Sequence, residues 1–219
     1  MSVDAASLFF ALLAMACLVA LVALLVGWLV WLVGRSDALL SLRADLGRVA
    51  VPVAWIVATV ATLGSLYYSE IADFVPCRLC WYQRICMYPL ALVLGVATLR
   101  RDRGVRWYVG PLAAIGAVIA AYHSWIQAYP PSGGSSFCTL DAPCTERFVW
   151  EFGFVSLPFM AFIGFTFILA MMVLARRSAD DATWQAGAED ADAMSSLEDD
   201  TQVEGDGFVD HSRLVKEQM

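Results

Sequence analysis

Six cysteines stand at positions 17, 77, 80, 86, 138 and 144 of this 219-residue chain. Cys77 and Cys80 form a C-x-x-C, a spacing that serves either thiol–disulfide exchange or metal binding, so the neighbouring residues must decide between them. Pro76-Cys-Arg-Leu-Cys80 runs directly into Trp81-Tyr-Gln-Arg84, so a helix beginning there aims its unpaired amides and its dipole at Cys80. Arg84 follows four residues on, one turn along the same face, and its fixed charge acts in the same direction. The thiolate is the reactive form of cysteine, and the pattern therefore singles out Cys80 as the activated thiol. An arginine in the first turn of a membrane helix reads as functional in preference to a snorkelling cation.

The second pair, Cys138-Thr-Leu-Asp-Ala-Pro-Cys144, sits in a segment opened by Tyr129-Pro-Pro-Ser-Gly-Gly134, whose Pro and Gly predict a turning loop. Two dithiols, one at a helix start and one on a loop, suit an electron relay by thiol–disulfide exchange. The plainer reading is two static disulfides, for which a chain with so much lipid-buried helix has little need. A four-cysteine zinc site matches the count but neither the C-x5-C spacing nor the adjacent arginine, so no metal is expected. Cys17 and Cys86 lie within apolar runs and read as small buried hydrophobes.

These thiols must be positioned by membrane helices. The chain is 60% hydrophobic and only 16% charged, against roughly 45–50% and 25% for soluble domains. Apolar stretches at 8–33, 49–69, 81–99, 107–126 and 153–174 are each long enough to cross roughly 30 Å of hydrocarbon. The first is too long for the apolar part of a signal peptide and has no basic residue before it, so it is expected as a permanent helix. Prolines 52, 89, 111 and 158 are expected near helix ends.

Arg35, Arg43, Arg48, Arg100, Arg101, Arg103, Arg106, Arg176 and Arg177 fall on one side of an up-and-down threading, and Arg78, Arg84 and Arg147 on the other. Lys and Arg are retained in the cytoplasm, which predicts an N-terminus outside, a C-terminus inside and both Cys pairs on the disulfide-permissive outer face. Leu39, Leu42 and Leu46 recur at helical spacing, so the first link is either an interfacial amphipathic helix or a solvated loop. The formal charge of −7 misleads as an average, because residues 178–219 hold 12 of the 21 acidic residues. That segment has too little apolar surface to offset its ordering entropy and is expected to be a disordered cytoplasmic tail. The arginines form short clusters between apolar runs, which leaves no basic patch for nucleic acid.

Pro76-Cys-Arg-Leu-Cys-Trp-Tyr-Gln-Arg84 followed by Met87-Tyr-Pro89 closely resembles the DsbB family of disulfide-bond formation proteins, particularly its BdbC-like branch. Cys144-Thr-Glu-Arg147 through Trp150, Gly153 and Leu157-Pro158 is similar to that family's segment before its last helix, and the resemblance spans about residues 49–175. It implies an all-α integral membrane protein: a DsbB-type four-helix redox bundle at 49–177, preceded by an extra helix and link at 1–48 and followed by the tail at 178–219. It also implies a bacterial cytoplasmic membrane enzyme that reoxidises a DsbA- or BdbD-like thioredoxin-fold protein and passes electrons to a membrane quinone, ubiquinone or menaquinone. Carried onto these residues, Cys138 would form the mixed disulfide with the partner and Cys144 would exchange with Cys77. Cys80 would adjoin the quinone and Arg84 would hold it. His123, beside Tyr122 and Trp125 near the outer end of its helix, is a further candidate for the quinone headgroup, while Trp81, Tyr82, Gln83 and Trp150 suit an interfacial belt. Two other readings are a quinone reductase of the vitamin K epoxide reductase type and a non-enzymatic membrane scaffold or metal-handling protein.

Overall fold

The computed structural model of the chain describes residues 3–34, 37–102, 104–130, 144–145 and 148–175, with the backbone path alone for 33–34 and 37–44. Five helices follow one another: α1 (Val3–Gly34), α2 (Asp37–Glu70), α3 (Arg78–Arg100), α4 (Arg106–Ala128) and α5 (Leu157–Ala175). Each contains a stretch long and apolar enough to cross a membrane. The fold is all-α, and the β-geometry among the described residues is one isolated antiparallel bridge between Glu151 and Val155.

Each expected span is present, with informative differences at the ends. The link after the first span is helical: α2 begins at Asp37 and continues without a break through the expected 48/49 boundary. Its 34 residues extend about 50 Å at 1.5 Å per residue, so its polar N-terminal turns overhang the hydrocarbon. Helix α5 starts at Leu157 and not at Gly153, because Phe152 (φ 53°) and Gly153 (φ 78°) make a left-handed turn closed by the Glu151–Val155 bridge. Pro52 and Pro89 lie inside α2 and α3 and not near their ends, a placement that membrane helices tolerate because neighbouring groups satisfy the freed carbonyls. The expected tail at 178–219 lies outside the described residues.

The core forms where small residues let the helices approach. Ala50, Ala54 and Ala58 recur every four residues on α2 and are fully buried, facing Leu90 and Leu94 of α3. On α4, Gly116 accommodates the ring of Phe165 from α5 so closely that a Cβ there would sit 2.3 Å from a ring carbon. The N-terminal half of α1 is fastened to α2 by two contacts. The Tyr68 hydroxyl donates to Ser7 Oγ at 3.2 Å, and the Phe10 ring lies over Gly64, where a Cβ would stand 2.9 Å from it. The rest of α1 is largely exposed, as suits the most apolar of the five helices, with mean hydropathy 3.0. Residues Met1–Ser178 form one compact unit, so the extra helix is packed into the same body as the other four.

Candidate active site

Helix α3 begins at Arg78, which makes Cys77 its N-cap and puts Cys80 in the first turn. The cap residue's side chain accepts the orphan amides of a helix start. Here that acceptor is a thiol: the Cys80 backbone N–H donates to Cys77 Sγ at 3.4 Å. The two sulfurs lie 3.1 Å apart, close enough for one thiol to donate to the other. Cys77 Sγ also faces His123 Nε2 at 3.8 Å. The Cys77 thiol is held well below the ordinary thiol range, chiefly by the hydrogen bond from the Cys80 thiol, with His123 and the Cys80 amide assisting and burial opposing.

The geometry lowers the pKa of the Cys77 thiol, whereas the sequence pattern pointed to Cys80. The chief cause is the Cys80 thiol beside Cys77 Sγ, with His123 next and the cap amide a smaller contribution. Arg84 is meanwhile engaged elsewhere: its Nη2 donates to Ser65 O at 2.9 Å, and its guanidinium lies 5.4 Å from the centroid of the Trp81 ring.

His123 is almost completely buried and bridges the two cysteine regions. Gln83 Nε2 lies 3.0 Å from His123 Nδ1, and His123 Nε2 lies 3.1 Å from the carbonyl of Cys144. With the Gln83 amide donating to Nδ1, the ring proton is on Nε2, which can donate to Cys144 O and turn toward the Cys77 sulfur. Gln83 was expected in an interfacial belt; it is buried instead and orients this imidazole. Trp81, Tyr82 and Trp150 are exposed, as belt residues should be. The importance of Gln83 could have been suspected from its place three residues after Cys80, on the same stripe of α3. Cys77, Cys80 and His123 offer ligand atoms within 4.8 Å of one another, so the cluster has the shape of a partial metal site as well as of a thiol relay.

Two cavities flank the C-x-x-C. A small one, about 20 Å³, lies among Cys77, Cys80, His123, Gln127 and Cys144. Cys144 takes part in a disulfide, while Cys77 and Cys80 are free thiols; Cys138 lies outside the described residues. The second cavity, about 270 Å³, opens on the other side and is lined by Cys80, Gln83 and Arg84 of α3 and by residues of α1, α2 and α5. Its outer end carries Ser65, Tyr68, Cys80, Gln83 and Arg84 under the stacked rings of Phe74 and Phe148, which lie 4.8 Å apart. The remainder of the lining is hydrocarbon, with Met87, Val57 and Ile163 among it. A few polar groups at one end of an apolar cavity suit a small molecule with a polar head and an apolar body. Cys80 thus reaches the large cavity and Cys77 does not, while Cys77 and His123 face Cys144. His123, a sequence candidate for the headgroup, does not line that cavity; Gln83 stands between them.

The family model described as "Disulfide bond formation protein DsbB" matches residues 47–185. The chain is similar to Disulfide bond formation protein C of Bacillus subtilis (strain 168), 49% identical over 120 residues that make up 55% of this chain and 87% of the relative. A Probable disulfide formation protein C 2 of Bacillus anthracis is 43% identical over 124 residues, 57% of this chain and 88% of that one. A Probable disulfide formation protein of Coxiella burnetii (strain Dugway 5J108-111) is 39% identical over 128 residues, 58% of this chain and 87% of that one. No solved structure matches the chain.

Proposed function

We propose, from the premise that this chain belongs to the DsbB family of disulfide bond formation proteins, a full route for the electrons that this membrane oxidoreductase handles. The donor is a thioredoxin-fold protein outside the cytoplasm, resembling DsbA or BdbD, and the acceptor is a membrane quinone. The observation that carries the reading is the sidedness of the C-x-x-C: Cys80 lines the large cavity beside Arg84, whereas Cys77 lines the small one with Cys144.

The partner's dithiol is oxidised first, losing two electrons and two protons as the Cys138–Cys144 disulfide opens and a mixed disulfide at Cys138 resolves. Attack by a thiolate on a disulfide sulfur is the elementary step. In the oxidised enzyme Cys77 and Cys80 are joined as a disulfide; the freed Cys144 thiolate attacks it at Cys77 and releases Cys80. Attack of Cys138 on Cys144 then closes the loop disulfide and releases Cys77 as a thiolate, which its cap position and His123 stabilise. A quinone held in the large cavity would supply the oxidant for the Cys77–Cys80 dithiol, taking up its two electrons and two protons. Ser65, Gln83 and Arg84 would hold its carbonyl oxygens, with Phe74 and Phe148 covering the ring from water. His123 works on the thiols: its Nε2–H faces both the Cys144 carbonyl and Cys77, so it can stabilise charge while the disulfides trade places.

The arginine distribution supports a cytoplasmic C-terminus, an outer N-terminus and redox cysteines on the outer face. The order of thiols is tested by Cys144→Ala. Mixed with the partner in its disulfide form, this variant's free Cys138 thiol should attack that disulfide and accumulate a partner adduct on Cys138, mapped by mass spectrometry from non-reducing gels. An adduct on Cys77 instead would reverse the roles of the two pairs.

A further inference from the structure

Helix α1 lies almost wholly outside the family match at 47–185, yet it supplies a wall of the large cavity. Phe10, Leu13, Ala14 and Cys17 all line it. They recur at three- and four-residue intervals, which puts them on one stripe of the helix. From Phe10 to Cys17 that stripe descends about 10 Å toward the membrane interior. The facing stripe of α2 descends in parallel from Ser65 and Gly64 through Ala61 to Val57.

The groove between the two helices is polar only at its top. Ser65, Arg84 and Cys80 mark that end, and below it stand Ala14, Cys17, Val57 and Ala61. The seam is held at the top by the Ser7–Tyr68 hydrogen bond and by Phe10 seated on Gly64. Cys17 is therefore more than the inert packing residue its sequence context suggests, since it is half-buried at the lower part of the cavity wall.

We infer that α1 and α2 form a subsite for the isoprenoid tail of the quinone, continuous with the headgroup site at Arg84 and Cys80. The inference rests on the quinone reading above and adds what the extra helix does in it. An apolar chain leaving the headgroup finds hydrocarbon surface on both helices and no polar group to desolvate, so it exchanges lipid contacts for packed helix contacts without a desolvation cost. Ala14 keeps the groove open by being small, and Gly64 lets the Phe10 ring seat at its top. Phe10 roofs its entrance beside the headgroup.

The test uses the full-length protein in lipid nanodiscs and two probes, a benzoquinone and a naphthoquinone, each carrying a diazirine midway along a decyl tail. Photolysis should place adducts on residues 13–17 of α1 and on the facing turns of α2, and excess unlabelled tailed quinone should abolish them. Adducts confined to α3 and α5, or α1 adducts that excess quinone does not displace, would overturn the inference and mark the groove as an ordinary lipid contact. Absence of any displaceable adduct with either probe would refute the quinone reading itself. A second measurement compares Kd values of tailed and tailless quinone in wild type and Ala14→Trp. The indole should lower the preference for the tailed form at least tenfold; an unchanged preference contradicts a tail subsite on α1.

Discussion

Replacing His123 by alanine isolates what the buried imidazole does for the relay. The Cys77 thiol is brought down to about 4 from an ordinary 9.0, and after the hydrogen bond from the Cys80 thiol the next favourable cause is His123. A hydrogen bond to a charged group is worth about 1.5–3 kcal/mol, and 1.36 kcal/mol corresponds to one pKa unit, so His123→Ala should raise the Cys77 pKa by about 1–2 units. The sign follows from the direction of the shift. An acid with a lowered pKa stays ionised as pH falls until that low value is reached, so the wild-type thiolate persists to about pH 4. In His123→Ala it should be lost roughly one to two pH units sooner, while at neutral pH both proteins remain ionised. The assay is the ultraviolet absorbance of the thiolate in reduced, quinone-free protein, titrated against Cys77→Ser as the blank. Exchange of Cys77 with the Cys144 disulfide should show the same displacement, with equal rates at pH 7 and divergence in the acid limb. Gln83→Leu should move the curve the same way by less, because it removes only the group that orients His123. Superimposable titrations of wild type and His123→Ala would refute the reasoning.

Three further outcomes are expected. Gly116→Val should destabilise the α4–α5 contact by about 1–3 kcal/mol, since the new side chain meets the Phe165 ring, and the loss should appear in thermal unfolding in detergent. Arg84→Ala should weaken quinone use about tenfold or more while leaving the Cys144 disulfide able to form; an unchanged apparent KM for quinone would reduce Arg84 to a partner of Ser65 and Trp81. With a cysteine placed at 102 by Asp102→Cys, in the turn after α3 of a chain whose six native cysteines are replaced by serine or alanine, an impermeant maleimide should label everted vesicles and spare intact cells; the opposite pattern would invert the topology.

The spans were legible because hydrocarbon thickness imposes a length that composition reveals directly. The C-x-x-C and Arg84 were equally plain, since they share a few consecutive residues. The lowered pKa of Cys77 was not, because it turns chiefly on the side-chain contact between the two thiols and on His123, 46 residues away in sequence. The Gln83–His123 pair was also hidden: its members are 40 residues apart, and only the packing of α3 on α4 turns one side chain into the donor for the other. Helix α1 carried no polar signal at all. Its docking depends on Phe10 meeting Gly64 and on one hydroxyl pair, Ser7 and Tyr68, that hydropathy does not register. Pro52 and Pro89 misled for a related reason, since in a membrane the helix is retained where water would favour a break.

The proposed route of electrons through Cys80 makes a single spectrophotometric experiment decisive. The full-length protein, reconstituted with quinone and supplied with a reduced thioredoxin-fold substrate, should lose quinone absorbance in proportion to the substrate dithiol oxidised. Cys80→Ser should leave the quinone oxidised. Quinone that is never consumed by wild type, or that is consumed equally by Cys80→Ser, would contradict the route of electrons through the cavity wall.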